Sequence, residues 1–128
     1  MVVAVTSGVK VMVQAKFEKA LSSISNNNFI FSYMVTIENQ NEFPVQLLRR
    51  HWFVADAAGV SREIEGPGVI GEQPIIEPGS SFSYTSACDL MSPFGTMIGY
   101  YSMQIRGEQS TFAAHVPEFK LFADHALN

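Results

Sequence analysis

Polar and apolar residues alternate with a period of two along most of the chain. Val9, Val11, Val13, Ala15 and Phe17 interleave with Lys10, Met12, Gln14 and Lys16, which predicts a first strand with one buried face. After SSISNNN, the residues Phe29, Phe31, Tyr33, Val35 and Ile37 repeat the pattern against Ser32, Met34, Thr36 and Glu38, and turn residues from Asn39 to Pro44 separate them from VQLLRRHWFVAD. A shorter, more polar strand suited to an edge follows around Val60, Arg62 and Ile64. Then come the loop GPGVIGEQP, a brief strand at Pro74 to Ile76, a strand in SSFSYTSA with Phe82 and Tyr84 on one face, and strands at Met97 to Ile105 and Thr111 to Val116. Pro117 is expected to interrupt the last of these before Phe119 and Leu121 resume it. The best helical stretch, KFEKALSSI, runs into three asparagines and is read as no more than a turn.

Seven to nine short strands with Gly, Pro, Asn and Asp between them predict an all-β fold: a single-domain antiparallel β-sandwich, immunoglobulin-like or fibronectin type III-like, over residues 1–128. Trp52, the only tryptophan, is expected in the core on the same face as Leu48 and Val54.

Composition narrows the functions. With 47% hydrophobic and 16% charged residues the chain has ample core material. A net charge of -4, with eight Lys and Arg spread along the sequence, argues against nucleic acid as a partner. One cysteine, Cys88, excludes an internal disulfide and a multi-cysteine metal site, and fits a reducing compartment. The opening MVVAVTSGVK has no basic region followed by a long apolar run, and no stretch approaches about 18 apolar residues. A cytoplasmic location without membrane insertion is the expectation.

Candidate chemistry centres on Gly66-Pro67-Gly68-Val69-Ile70-Gly71, a G-x-G-x-x-G string. In dinucleotide-binding proteins such a loop joins a strand to a helix whose N-terminus meets a pyrophosphate. Here Glu72, Gln73 and Pro74 follow instead of a helix, Pro67 lacks an N–H, and Glu65 and Glu72 add negative charge. The candidate binding loop is Gly66, Gly68, Gly71 and Glu72, with Arg49, Arg50 and His51 as an adjacent basic cluster, if the fold brings the two together. A divalent cation or a phosphate-bearing metabolite is the ligand such a loop would take. His51 should point the same way as Arg49 and Phe53; His115 and His125 stand far from it, and no metal-ligand spacing occurs. Glu63, Glu65 and Glu72 offer oxygen ligands for Mg2+, although acids on an edge strand more often face solvent. Cys88 reads as a small core residue and Asp89 as the start of a loop, and no nucleophile elbow or spaced acid pair marks an enzyme. No catalytic residue and no cofactor are expected.

Several motifs occurring in order give a more specific signal. The cluster Arg50, His51 and Trp52, the loop Gly66 to Pro74, the PG-x-x-F-x-Y-x-S segment from Pro78 to Ser86 and the G-x-M-x-G-x-Y segment from Gly95 to Tyr101 together resemble the bacterial ApaG family, also called CorD. The likeness runs from about Phe29 to Leu121 and departs at Pro67, where the family often has glutamate. It implies the same β-sandwich, a biochemical role not established, a link to cobalt and magnesium resistance or efflux, and a gene often next to a diadenosine tetraphosphatase. Related domains in a eukaryotic F-box protein and a polymerase delta-interacting protein imply a protein-interaction role. The leading expectation is therefore a non-catalytic protein-binding module, monomer or homodimer, using a sandwich face or the Gly66 to Pro74 loop. The alternative is a sensor or accessory protein for divalent cations or a phosphate or pyrophosphate ligand at that loop.

Overall fold

The computed structural model describes residues 1–123. His125 lies outside them. Nine strands run in the order β1 (Val2–Thr6), β2 (Val9–Phe17), β3 (Phe29–Asn39), β4 (Val45–Asp56), β5 (Ser61–Pro67), β6 (Ile75–Ile76), β7 (Ser81–Leu90), β8 (Phe94–Ile105) and β9 (Thr111–Phe122). One sheet has the order β1-β2-β3-β7. The other has β5-β4-β8-β9, with β6 pairing the start of β4. Every pairing is antiparallel. The chain crosses between sheets after β3, β6 and β7, so the expected immunoglobulin-like or fibronectin type III-like sandwich is the fold observed.

Period two explains which side chains meet in the middle. Val9, Val11, Val13, Phe31, Val35 and Ile37 of one sheet face Leu47, Trp52, Val54, Met97, Tyr101 and Leu121 of the other, all nearly inaccessible to water. Trp52 is the hub: its ring meets Tyr33, Tyr101 and Phe119 edge-on at 5.6, 5.9 and 5.8 Å. Asn39, the one polar residue fully buried among the described residues, is completely bonded. Its Nδ2 donates to the carbonyls of Phe43 and Ile76, and its Oδ1 accepts from the Asn41 N–H.

Four expectations need correction. The strand at Val9 is the second, because Val2–Thr6 pairs with it through a two-residue turn at Ser7 and Gly8, both at positive φ. Leu48 does not share Trp52's face: the register against β8 shifts between Leu47 and Arg49, so Leu47 takes the core position and Leu48 is the extra residue of a bulge. Asp89 belongs to β7 and does not begin a loop. Pro117 bends β9 without ending it, since β9 is an edge strand and the proline sits where the pairing with β8 shifts between Met97 and Gly99. In KFEKALSSI, Lys16 and Phe17 end β2, and short 3-10 turns at Lys19–Leu21 and Ile24–Asn26 follow.

Candidate functional site

The bulge at Leu48 sets the direction of every side chain in the second half of β4. Arg50, Trp52 and Val54 turn inward, and Arg49, His51, Phe53 and Ala55 turn outward. The basic cluster read from the sequence is thus divided by the sheet. Arg49 Nη2 donates to Glu65 Oε1 at 2.5 Å, and this bond, with the guanidinium charge, holds the exposed Glu65 carboxyl below its usual range. Arg50, opposite the buried Tyr101, donates from Nη1 to the carbonyls of Pro67 at 3.1 Å and Gly68 at 3.0 Å. His51 points with Arg49 and Phe53, as expected.

The fold does bring the glycine loop beside Arg50, but in a particular form. Val69 and Glu72 exchange two backbone hydrogen bonds of 2.8 and 2.9 Å around Ile70 and Gly71, whose φ angles of 44° and 78° describe a tight two-residue turn. The Gly68 N–H donates to the Leu48 carbonyl at 2.8 Å. A Cβ on Gly68 would stand 2.2 Å from the Glu72 carbonyl oxygen, and one on Gly66 would press on the Arg50 guanidinium at 3.0 Å. Chain geometry therefore accounts for the glycines without a ligand. Three loop amides, those of Gly68, Val69 and Glu72, are already bonded to backbone carbonyls, no helix follows, and Arg50 faces carbonyl oxygens. The side chain of Val69 is fully buried, so the loop is a plug closing one end of the sandwich, while the Glu72 side chain faces solvent.

The outer face of the β5-β4-β8-β9 sheet carries a second constellation that sequence reasoning missed. Cross-strand pairing aligns Glu65, His51, Tyr100 and His115 in one row. The His51 ring lies between Phe53 and Tyr100, stacked at 4.7 and 5.0 Å. Its Nδ1 is 3.1 Å from the Tyr100 hydroxyl and 3.9 Å from Glu65 Oε2. Its buried Nε2 is 3.4 Å from Glu63 Oε1, within ion-pair reach but not aligned as a hydrogen bond. A histidine–acid pair thus exists, but the depression over it holds only about 180 Å3.

Beside this row, Phe53 and Ile98 are direct cross-strand partners, and with Ala55, Ser61, Glu63, Thr96 and Glu118 they line an open groove of about 460 Å3. Nothing in a local window signals this groove. The one hint is Phe53 itself, an aromatic on the polar side of an alternating strand.

Other candidate groups are placed by the core. Cys88 is buried; desolvation pushes its thiol up, although Arg62, whose Nη2 donates to Sγ at 3.3 Å, works the other way. It stands in the opposite sheet from His51. Among the described residues no group of three His, Cys, Asp or Glu side chains gathers as a metal site, and no helix is long and apolar enough to cross a membrane.

The family model of the ApaG domain matches residues 19–105. The chain belongs to the ApaG family. Curated relatives named protein ApaG extend the likeness to both ends: one from Methylorubrum extorquens is 43% identical over 120 residues, 94% of this chain and 92% of its own length. One from Anaeromyxobacter dehalogenans is 43% identical over 125 residues, 98% of each. A crystal structure from Bordetella pertussis, described as that of an ApaA protein, superposes with a TM-score of 0.85 at 35% identity, covering 89% of this chain and 92% of that one. The ApaG match from 19 to 105 holds the glycine loop, His51, Phe53 and Ile98; Glu118 on β9 lies beyond it, within the span of the relatives.

Proposed function

We propose that this ApaG-family domain is a non-catalytic protein-recognition module, working in the cytoplasm, and that the outer face of the β5-β4-β8-β9 sheet is its recognition surface. The observation that carries this reading is the groove floored by Phe53 and Ile98, which are 44% and 46% exposed and packed side by side although the sandwich has a complete core without them. Stacked His51 and Tyr100 extend the patch on one side. At the far end Phe94 and Phe122 add a second pair of half-exposed rings 5.9 Å apart. The opposite sheet exposes Val3 and Val5 on its edge strand and Met34 in its middle, but no aromatic ring among the described residues. Its exposed Met34 has polar Gln14 and Thr85 as cross-strand neighbours. A preformed, partly aromatic surface on rigid strands suits protein recognition. Any connection with cobalt or magnesium handling would, in this reading, pass through the bound partner.

The test compares immobilised wild-type protein with a Phe53→Asp/Ile98→Asp variant and with a Met34→Asp control, each used to capture partners from a cell extract. Both altered sites face solvent, so all three proteins should fold. Captured species should vanish with the double variant and persist with the control. Capture that survives the double variant overturns the assignment of the face.

A further inference from the structure

The row that contains the groove is chemically symmetric. Pairing places Glu63 opposite Phe53 and Phe53 opposite Ile98. The shift in β9, which sets Met97 against Phe119 and Gly99 against Val116, leaves Pro117 and Glu118 opposite Ile98. Reading across four strands, the row is carboxylate, aromatic, aliphatic, carboxylate, and all four residues line the same groove, to which Arg62 also contributes.

The nearby cations leave these acids available. Arg62 is held on Asp89 at 3.1 Å and Arg49 on Glu65, while Lys120 lies in the neighbouring row opposite Thr96. Among the described residues Glu63 has only the His51 imidazole within reach, and Glu118 makes no ion pair. Both acids are exposed to solvent.

Resting on the proposed recognition face, we infer that its occupant is an extended segment of a partner protein with the pattern basic–x–apolar–x–basic, lying across the four strands. Charge selects the ends and the groove selects the middle. Geometry selects the spacing. Three interstrand steps separate the two carboxylate-bearing strands by about 14 Å, and residues i and i+4 of an extended chain, which share a face, lie about 13 Å apart. The central apolar side chain then falls over Phe53 and Ile98, and a flanking Lys or Arg passes its methylene stem over the Phe53 ring to reach Glu63. An acidic segment is excluded by the same two carboxylates.

The experiment titrates the full chain with an end-capped nonapeptide centred on Lys-Thr-Leu-Thr-Lys, followed by amide shifts and calorimetry. Comparison peptides carry Glu-Thr-Leu-Thr-Glu or Lys-Thr-Ser-Thr-Lys. Saturable binding confined to β4, β5, β8 and β9 is expected, weakening at least threefold with Glu63→Gln or Glu118→Gln, further in the double variant, and with added salt. The serine peptide should bind several-fold more weakly, and the acidic peptide not at all. The inference is overturned if no binding saturates at millimolar peptide, if the glutamine variants bind as wild type does, or if the acidic peptide binds equally. If partner capture is lost with Phe53→Asp/Ile98→Asp but the peptide fails, the face stands and the basic pattern falls. If capture survives that variant, the face itself is wrong.

Discussion

Tyr84 on β7 and Tyr101 on β8 share a hydrogen bond of 2.5 Å that joins the two sheets through the buried middle of the sandwich. Each hydroxyl serves the other, so removing one leaves its partner buried without it. Tyr84→Phe should destabilise the fold by about 1–3 kcal/mol, the range for an unsatisfied buried hydroxyl, and Tyr101→Phe similarly. The double phenylalanine variant should cost clearly less than the sum. Urea midpoints across the four-member cycle would show it, and simple additivity would mean the hydroxyls are not coupled.

The same pair predicts an alkaline limit. Burial pushes both phenols up, as it does the Tyr33 phenol, whereas an unfolded tyrosine ionises near 10. A group whose folded pKa is raised contributes its stability fully below the unfolded value. Stability should therefore hold to about pH 10 and fall above it, as the unfolded chain releases protons the folded chain keeps. The double phenylalanine variant should lose stability less steeply over that range in denaturant titrations at stepped pH.

Asp56 governs the acid side. Partial burial works to raise its carboxyl. The hydroxyl of Ser92 and the N–H groups of Ala58 and Met91 donate to it, and with the charge of Arg62 they bring the net shift below the usual value. Its contribution is present above the unfolded carboxyl value of about 4 and is lost as pH falls through the lower folded one. Asp56→Asn should cost about 1–2 kcal/mol at pH 7, below the full worth of bonds to a charged acceptor because the site is only partly buried, and should flatten the acid limb of the stability profile. An unchanged profile would remove Asp56 from the acid response.

The glycine hairpin yields opposite predictions at two neighbouring positions. Gly68→Ala drives a methyl against the Glu72 carbonyl and should cost well over about 1 kcal/mol. Ile70, a β-branched residue held at φ 44° with its side chain mostly exposed, is replaced in Ile70→Asn by a residue that favours the turn, giving Asn-Gly; a gain of about 1 kcal/mol is expected. Thermal midpoints of the two variants should move in opposite directions.

Amide titration with pyrophosphate, Mg2+ and Co2+ addresses the loop as a small-ligand site. With the Gly68, Val69 and Glu72 amides already bonded, no saturable shift at Gly66, Gly68 or Gly71 is expected. Saturation there would restore the loop as an anion or cation site and displace the sheet face from the leading position.

Most of the sandwich was legible because alternation is a local property. Phe29 to Ile37 declares a half-buried strand without reference to anything else. β1 was missed because Val2 to Val5 is apolar throughout and carries no alternation. Leu47 and Leu48 were ambiguous for a related reason: two adjacent leucines fit either face, and only pairing with β8 decides which enters the core. The glycine loop starts later than its sequence suggests, because Gly66 and Pro67 still pair with β4 as the end of β5, and its hydrogen bonds to β4 were not readable. The groove was invisible in principle. Glu63, Phe53, Ile98 and Glu118 come from four strands, and three separate pairing registers, two of them containing a shift, bring them into line.

The bulge at Leu48 also has an evolutionary consequence. Beyond it, β4 is two interleaved alphabets: positions 50, 52 and 54 address the interior, and 49, 51, 53 and 55 address whatever lies outside. Substitutions in the second set alter the outward surface while leaving the tryptophan hub untouched. A lineage can therefore change the chemistry of this face without first acquiring stability to spare, provided no insertion or deletion within β4 exchanges the two sets.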